Sequence, residues 1–511
     1  MMCRIAVLSV VAAIVGCNAA PPIFDPGNPH PFTVVDEGKG DNYISTNARE
    51  YLMTGVAHAQ LPDDYDTLDD EAQEQKLKNT VNSRMNSVSR AIRSHIDDIL
   101  RNANNGITGE KARYFTYFKR NPFDTGSVDV YADGQVRFPF EMEMVGSPYL
   151  MSIVAPDDGF ERTFTVTVTY GYGPLVGEGN SEEITVVIQG SESRDAFPKY
   201  NELFSDGVFD IAIHFGGDYN TDRLDLDTAK WVTEHLLEEG WENPAVTSFD
   251  DLRIDSPPFT QALHVNGHDV EVRVYLYHSD MVEAAEEEKL SESMKESFAN
   301  RDVVIYSGHA GSGAGFILDY QPKHEIKAAD FATLDLPEKY QIFVFDGCRT
   351  YRTYVDDMLK NPAKTFDNVD MVSTVNTTPF SAGYYLIWEF LYWFTLTNDD
   401  GAHFPLSWKS ILRGVNRRSF KSVHYGVHGV DNNPKLNPHG GTESLCSPCR
   451  EDSECGAGGN LCLGYPTGAS CGVACTTDTA CPDGYRCARL TDDPKMFYLP
   501  KQCVKRTYTC Q

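Results

Sequence analysis

Positive charge is in short supply in this sequence: 44 lysines and arginines face 74 acids, a formal net charge of −30. Gripping a nucleic-acid backbone requires a basic field over at least one face, so nucleic acid is excluded as the principal partner. Apolar runs long enough to cross a bilayer are missing too. Leu386 to Leu396 is short and broken by Glu389, and Ile5 to Val15 falls well under the roughly 20 residues a membrane helix needs. No compact ligand spacing of the His-Glu-x-x-His kind is present. A metal enzyme would have to gather ligands from far apart, such as His214, Asp218 and His309, and no metal or other cofactor is expected. Cysteine is nearly absent from the long middle of the chain. Of 13 cysteines, Cys3 and Cys17 lie at the start, ten fall between Cys446 and Cys510, and only Cys348 stands between.

The two cysteine-bearing ends point outside the cytoplasm. Arg4 followed by the apolar run to Val15 has the form of an export signal. It closes with Ile14-Val15-Gly16-Cys17, which resembles the lipobox of bacterial lipoproteins. That resemblance implies cleavage before Cys17, lipidation of its thiol, and a chain lipid-anchored at the bacterial outer membrane or cell surface. A plain secretory signal cut near Ala19-Ala20, which discards Cys17, is the alternative. At the other end, Cys446, Cys449, Cys455, Cys462, Cys471, Cys475, Cys481, Cys487, Cys503 and Cys510 form an even set with an internal repeat. Cys449-x2-Asp452-x2-Cys455-x2-Gly458 recurs 26 positions on as Cys475-x2-Asp478-x2-Cys481-x2-Gly484. Few apolar residues lie inside it, so disulfides of unknown pairing are expected to hold it.

Between these ends the pattern changes several times. Residues 1–17 read as the lipoprotein signal and 18–45 as a proline-rich tether. In 46–120, Leu77, Val81, Met85, Val88, Ile92, Ile96 and Ile99 recur at helical spacing on one face. Residues 121–190 carry short alternating runs with turn signals between them, the pattern of a small β-sandwich. Ser191 to Asp206 reads as a polar linker. From 207 to 440 strand-like runs alternate with helical ones: Phe209 to Ile213, Asp225 to Glu239, Val270 to Leu276, Glu283 to Asn300, Val303 to Tyr306, Ile342 to Phe345 and Val369 to Ser373. That alternation predicts an α/β layered domain with a mainly parallel sheet. Residues 446–511 are the disulfide-rich repeat domain.

The chemistry concentrates at two predicted strand ends. Val303-Val-Ile-Tyr306 runs into Ser307-Gly308-His309, and Ile342-Phe-Val-Phe345 runs into Asp346-Gly347-Cys348. In an open parallel sheet the residues beyond the carboxyl ends of the strands meet in one crevice. A thiol and an imidazole so placed can act as nucleophile and base. His214, which also follows an apolar run, is the rival base. Attack of Cys348 on a peptide carbonyl would leave an oxyanion for the backbone N–H groups of Ala310 and Cys348. The plain alternative for a lone cysteine is a half-buried structural thiol.

The two blocks together resemble the caspase-like clan of cysteine peptidases, which includes metacaspases, gingipains, clostripain and legumain. Tyr306-Ser-Gly-His309 is similar to the metacaspase histidine block, and Asp346-Gly-Cys348 to its Asp-Ser-Cys. The resemblance implies a caspase-like three-layer domain, peptide or protein substrates, His309 as base and Cys348 as nucleophile. It also implies Asp346 in a pocket for an Arg or Lys side chain, with the segment holding Thr377 and Pro379 bordering the substrate cleft. Two positions depart from the pattern: Ala310 stands where the family has glycine, and Gly347 where it has alanine or serine. Those departures favour the alternative of an inactive caspase-like surface lipoprotein that binds or scaffolds. Oligomeric state is not legible in the sequence.

Overall fold

The computed structural model describes residues 42–103, 115–125, 128–155, 161–169, 181–191, 193–283, 285–286, 288–310, 315–320, 323–418, 423–456, 458–492, 494–496 and 498–510. Cys17 and the signal and tether up to residue 41 lie outside them. Among the described residues no helix is long and apolar enough to cross a membrane.

The first layer-pair is built on β2 (Arg49–Gln60), which precedes the long helix Asp70–Ala103. β3 (Phe115–Lys119), β4 (Asp129–Val130), β5 (Gln135–Gly146), β6 (Arg162–Thr169) and β7 (Ser181–Gly190) complete an antiparallel sheet in the order β3-β5-β2-β7-β6, with β4 beside β5. The expected sandwich over 121–190 is therefore corrected. The partner of this sheet is the helix, not a second sheet. Val81, Met85, Val88, Ile92, Ile96 and Leu100 of the helix share one core with Tyr51, Met53, Phe138, Met142, Val186 and Ile188 of the strands. A sheet with one apolar face needs one cover, and an amphipathic helix of 34 residues supplies it.

The α/β domain is built on an eight-stranded mixed sheet. Its strands are β1 (Ile44–Ser45), β8 (Val208–Phe215), β9 (Phe259–Val265), β10 (His268–Tyr277), β11 (Val303–Ser307), β14 (Gln341–Asp346), β15 (Val369–Thr374) and β16 (Tyr425–His428). A separate hairpin pairs β12 (Phe316–Tyr320) with β13 (Lys323–Ile326). The sheet order is β1-β16-β15-β14-β11-β8-β10-β9. The inner five, β10, β8, β11, β14 and β15, are parallel, and the antiparallel edges are β9, β16 and β1. The end of the expected tether, Ile44–Ser45, is thus an edge strand. Continuous apolar runs such as Val303–Tyr306 are buried on both faces, as parallel strands covered on both sides require. Helices Leu224–Glu238, Phe380–Phe394 and Trp408–Arg418 pack with Ile211, Ile305 and Val344 on one face. Helices Glu288–Asn300 and Tyr351–Met358 pack with Val304, Tyr306, Phe343 and Met371 on the other. The expected polar linker is also revised: Ala196, Phe197, Tyr200 and Leu203 are buried in the first of these cores.

The carboxyl-terminal segment is held by five disulfides: Cys446–Cys510, Cys449–Cys462, Cys455–Cys471, Cys475–Cys487 and Cys481–Cys503. The repeat is visible in the pairing. In each copy the first cysteine joins the third and the second joins one further on, and Cys446–Cys510 ties the ends. The segment leans on the α/β domain through Leu461 and Ala474, which join its core. Cys348 is the free thiol among the described residues.

Candidate active site

Three strand ends meet at one place, and glycines are what let them meet. The chain crosses from β8 to β10 on one side and then to β11 on the other. The carboxyl ends of β8 and β11 therefore flank the switch point where open α/β sheets bind ligands. Gly216 N–H donates to the Ser307 carbonyl at 2.8 Å, and a Cβ on Gly308 would lie 2.8 Å from Gly216 Cα. β11 and β14 are in register with Ser307 opposite Asp346, so His309 and Cys348 each stand two residues beyond a paired position. Their turns touch. Gly308 N–H donates to the Asp346 carbonyl, and a Cβ on Gly347 would lie 2.5 Å from the Cβ of Ala310 and 3.0 Å from the Gly308 oxygen. The two departures from the family pattern therefore face each other. The methyl at 310 fills the space left by its absence at 347.

The imidazole of His309 is held on several sides. Its Nε2 is 3.2 Å from Oδ1 of Asp218, three residues beyond the end of β8. The Tyr219 ring stacks on it at 4.9 Å between centroids, and Phe380 and Tyr320 meet it edge-on at 4.8 and 5.7 Å. The Tyr306 hydroxyl donates to the His309 carbonyl at 2.6 Å and fixes the backbone of the turn. Asp218 also accepts from the backbone and side-chain amides of Asn220 at 3.1 and 2.7 Å. Burial alone would raise its pKa, but the hydrogen bonds from Asn220 and His309 outweigh that and hold it below the usual carboxylate range. In a neutral ring, donation from Nε2 to the carboxylate corresponds to the tautomer that keeps a lone pair on Nδ1, the form a base requires. The sequence offered Asp218 only as a ligand in the metal reading. Its position after Gly216-Gly217 at a strand end was the available signal.

Cys348 sits on a turn tied down at both sides. The Gly347 carbonyl accepts from the hydroxyls of Thr374 and Thr378. Because the peptide is planar and trans, the Cys348 N–H points away from those hydroxyls. Cys348 Sγ is half-buried, 3.9 Å from the Thr378 carbonyl. Arg349 follows with φ +58°, a left-handed conformation that costs a non-glycine residue about 1 kcal/mol or more. Its N–H donates to the Asn376 carbonyl. Thr377 and Pro379 are exposed on this same segment between β15 and helix Phe380–Phe394. Ala310 is at the turn, and residues 311–314 lie outside the described residues.

Two expectations meet a different environment. Asp346 is 2% exposed, with one oxygen accepting from Ser307 at 2.7 Å and the other from Tyr425 at 2.8 Å. Burial raises its pKa to about 6, against the lowering effect of those two bonds. It braces β11, β14 and β16 beneath the first turn of helix Phe380–Phe394, where a Cβ on Gly383 would strike Ser307 Oγ. It does not stand as an open pocket wall. His214 lies on the other face, 2% exposed, its Nε2 3.0 Å from Ser297 and its ring stacked on Tyr277. Burial pushes its pKa down to about 3, and these contacts hold it away from the Asp218–His309 pair. The rival-base and His214-based metal readings both fail on this placement.

No family model and no curated protein matches the sequence. Among solved structures, a complex of the pro- and mature domains of RgpB from Porphyromonas gingivalis aligns with 10% identity and a TM-score of 0.24. It covers 44% of this chain and 43% of that one, so the match spans less than half of either. A score this low bears on neither fold nor activity.

Proposed function

We propose that the α/β domain is a caspase-like cysteine peptidase in which Cys348 is the nucleophile, His309 the base and Asp218 the group that orients the base. The observation that carries the reading is the contact of two strand-end turns, Gly347 against Ala310, with the His309 ring hydrogen-bonded to Asp218. In this mechanism His309 Nδ1 takes the thiol proton as Sγ attacks a peptide carbonyl. The oxyanion is met by the Cys348 N–H, which the Thr374 and Thr378 hydroxyls aim by holding the Gly347 carbonyl, and by the Ala310 N–H. The imidazolium then gives its proton to the leaving amine. Water, deprotonated by His309, cleaves the acyl-enzyme. A substrate backbone laid along the 375–379 segment would pass Thr377 and Pro379.

The compensation between Ala310 and Gly347 is what supports an active site over a degenerate one. Two independent losses would leave either a void or a clash, whereas here one methyl has changed sides. Export and lipidation at Cys17 complete the proposal, with the oxidised tail as their support. A peptide carrying a thiol-directed electrophile tests the reading. Labelling of Cys348 that is lost in His309→Ala and slowed about 10²-fold or more in Asp218→Asn is expected. Labelling unaffected by either substitution would show an ordinary accessible thiol and end the proposal.

A further inference from the structure

Ser191 and Ser193 stand at the start of the stretch that the sequence presents as a polar linker. In the structure both line a partly open cavity of about 410 Å³ where the N-terminal sheet meets the α/β domain. That volume lies in the range of small-ligand sites. β2 forms one wall. Its Tyr51 pairs with Gly190, and the Ser191 N–H donates to the Glu50 carbonyl at 3.0 Å. The guanidinium of Arg49 lies at the same strand end, its Nη2 3.1 Å from where a Cβ on Gly190 would stand. Helix Trp408–Arg418 contributes Lys409 to another wall, and its Nζ donates to the Ser193 carbonyl at 3.0 Å.

Some of the polar groups around this cavity are engaged within the fold. The Ser45 and Thr46 hydroxyls donate to the Tyr425 and Leu412 carbonyls at 2.7 and 3.2 Å, and Glu50 presents its Oε1 to the Tyr351 hydroxyl. Asp195 accepts from the backbone N–H groups of Lys409 and Ala196 at 2.9 and 3.0 Å and from the Ser407 hydroxyl at 2.8 Å. Others are left over. Ser191 Oγ and Ser193 Oγ are buried with no hydrogen-bond partner among the described residues. The Lys409 ammonium has no carboxylate at salt-bridge distance among those residues, and the Ser193 carbonyl takes one of its protons and leaves the rest. A buried hydroxyl without a partner is unfavourable, and so is an ammonium drawn out of water without a counter-charge. Burial lowers the basicity of Lys409 against the pull of Asp195, and Lys501, Arg413 and Arg49 add repulsion. An anion set among these groups relieves all of them. Two hydroxyls, an ammonium and a guanidinium from three chain segments outnumber the acceptors of a planar carboxylate. A phosphate group offers three strong acceptor oxygens in a tetrahedral array.

We propose that Ser191, Ser193, Lys409 and Arg49 form a binding site for the phosphate group of a small soluble molecule, either a phosphate ester or the free ion. The site uses neither Cys348 nor His309, so it stands whether or not the α/β domain is a peptidase. A ligand held there ties β2 and the chain after β7 to helix Trp408–Arg418.

The test is titration calorimetry of the full chain with glycerol 3-phosphate, inorganic phosphate, acetate and glycerol at constant ionic strength. At least one phosphate probe is expected to bind saturably and about tenfold or more tightly than acetate, with no binding of glycerol. The tighter of the two phosphates identifies the ester or the free ion as the source. Ser191→Ala combined with Ser193→Ala should weaken that binding about tenfold. The same protein should unfold at the parent's temperature or above it, because each substitution removes a buried hydroxyl that has no partner. Lys409→Gln should weaken binding at least as much, and Lys230→Gln, an exposed cation on helix Leu224–Glu238, should leave it unchanged. No saturable binding of either phosphate, acetate bound as tightly, or affinity kept in both the serine and the Lys409 variants overturns the proposal.

Discussion

Replacing Gly347 by alanine probes whether the two strand-end turns work as one unit. The added Cβ falls 2.5 Å from Ala310 Cβ and 3.0 Å from the Gly308 oxygen, where carbon atoms normally approach no closer than about 3.5 Å. Neither neighbour is the free end of a flexible side chain, so about 1 Å must come from the backbone of one turn or the other. Overpacking of this kind costs about 1–3 kcal/mol. If the 308–310 turn gives way the imidazole moves with it, and a displacement of about 1 Å can cost about 10²-fold in rate. Ala310→Gly removes the offending methyl. The double variant should therefore recover most of the loss, leaving only the contact with the Gly308 oxygen, with a coupling of about 1–2 kcal/mol between the sites. The assay is the rate of Cys348 alkylation by iodoacetamide, followed by mass spectrometry, beside thermal unfolding. No reductant is needed, because the ten tail cysteines are paired. A Gly347→Ala protein as stable and reactive as the parent, or a double variant no better than the single, would refute the reasoning.

Asp370 offers a test of buried charge. Burial raises its pKa to about 7, and Tyr340, Trp408 and Asn433 all donate to its Oδ2 while Oδ1 is buried without a partner. The folded state holds the proton to higher pH than the unfolded state does, so this group's stabilisation is complete below about pH 4 and falls until about pH 7. Asp370→Asn keeps the acceptor and lacks the ionisation. Its stability relative to the parent should be level near pH 4 and rise by up to about 4 kcal/mol by pH 7 in thermal unfolding; a flat difference would refute the assignment. His214→Gln should lower stability by about 1–2 kcal/mol through its Ser297 bond yet leave Cys348 labelling intact, and loss of labelling would restore it as a candidate base. Removing Cys446 and Cys510 together opens the longest disulfide loop, with a separation of 64 residues, and should cost the tail about 4 kcal/mol. Differential scanning calorimetry should show the tail melting earlier while Cys348 reactivity is kept, and a shared transition with lost reactivity would contradict that.

Much of the α/β domain was legible because its signals are local. Val303–Tyr306 and Ile342–Phe345 are short β-branched and aromatic runs closed by glycine turns, and each became a buried parallel strand. β9 and β16 were missed because the first is a half-buried strand of irregular alternation and the second, though fully buried, is only four residues long, too short to show a period. The sandwich was misread for a related reason. β2 lies before the long helix in sequence but pairs between β5 and β7, so counting strands from residue 121 omitted the one at the centre of the sheet.

By itself the sequence determined the segments and their chemistry. The isolated Cys348, the strand-ending His309, the repeated cysteines and the acidic balance are all one-dimensional facts. The tertiary structure alone decided which of them meet. It paired the cysteines, set Asp218 against His309, turned Asp346 into a buried brace, and put Ala310 opposite Gly347. The reason is that residue type and period act over a few positions, whereas these contacts join residues from 12 apart, for Cys475 and Cys487, to 91, for Asp218 and His309. Adjacency over such distances follows from the order in which strands enter a sheet, which no local pattern encodes.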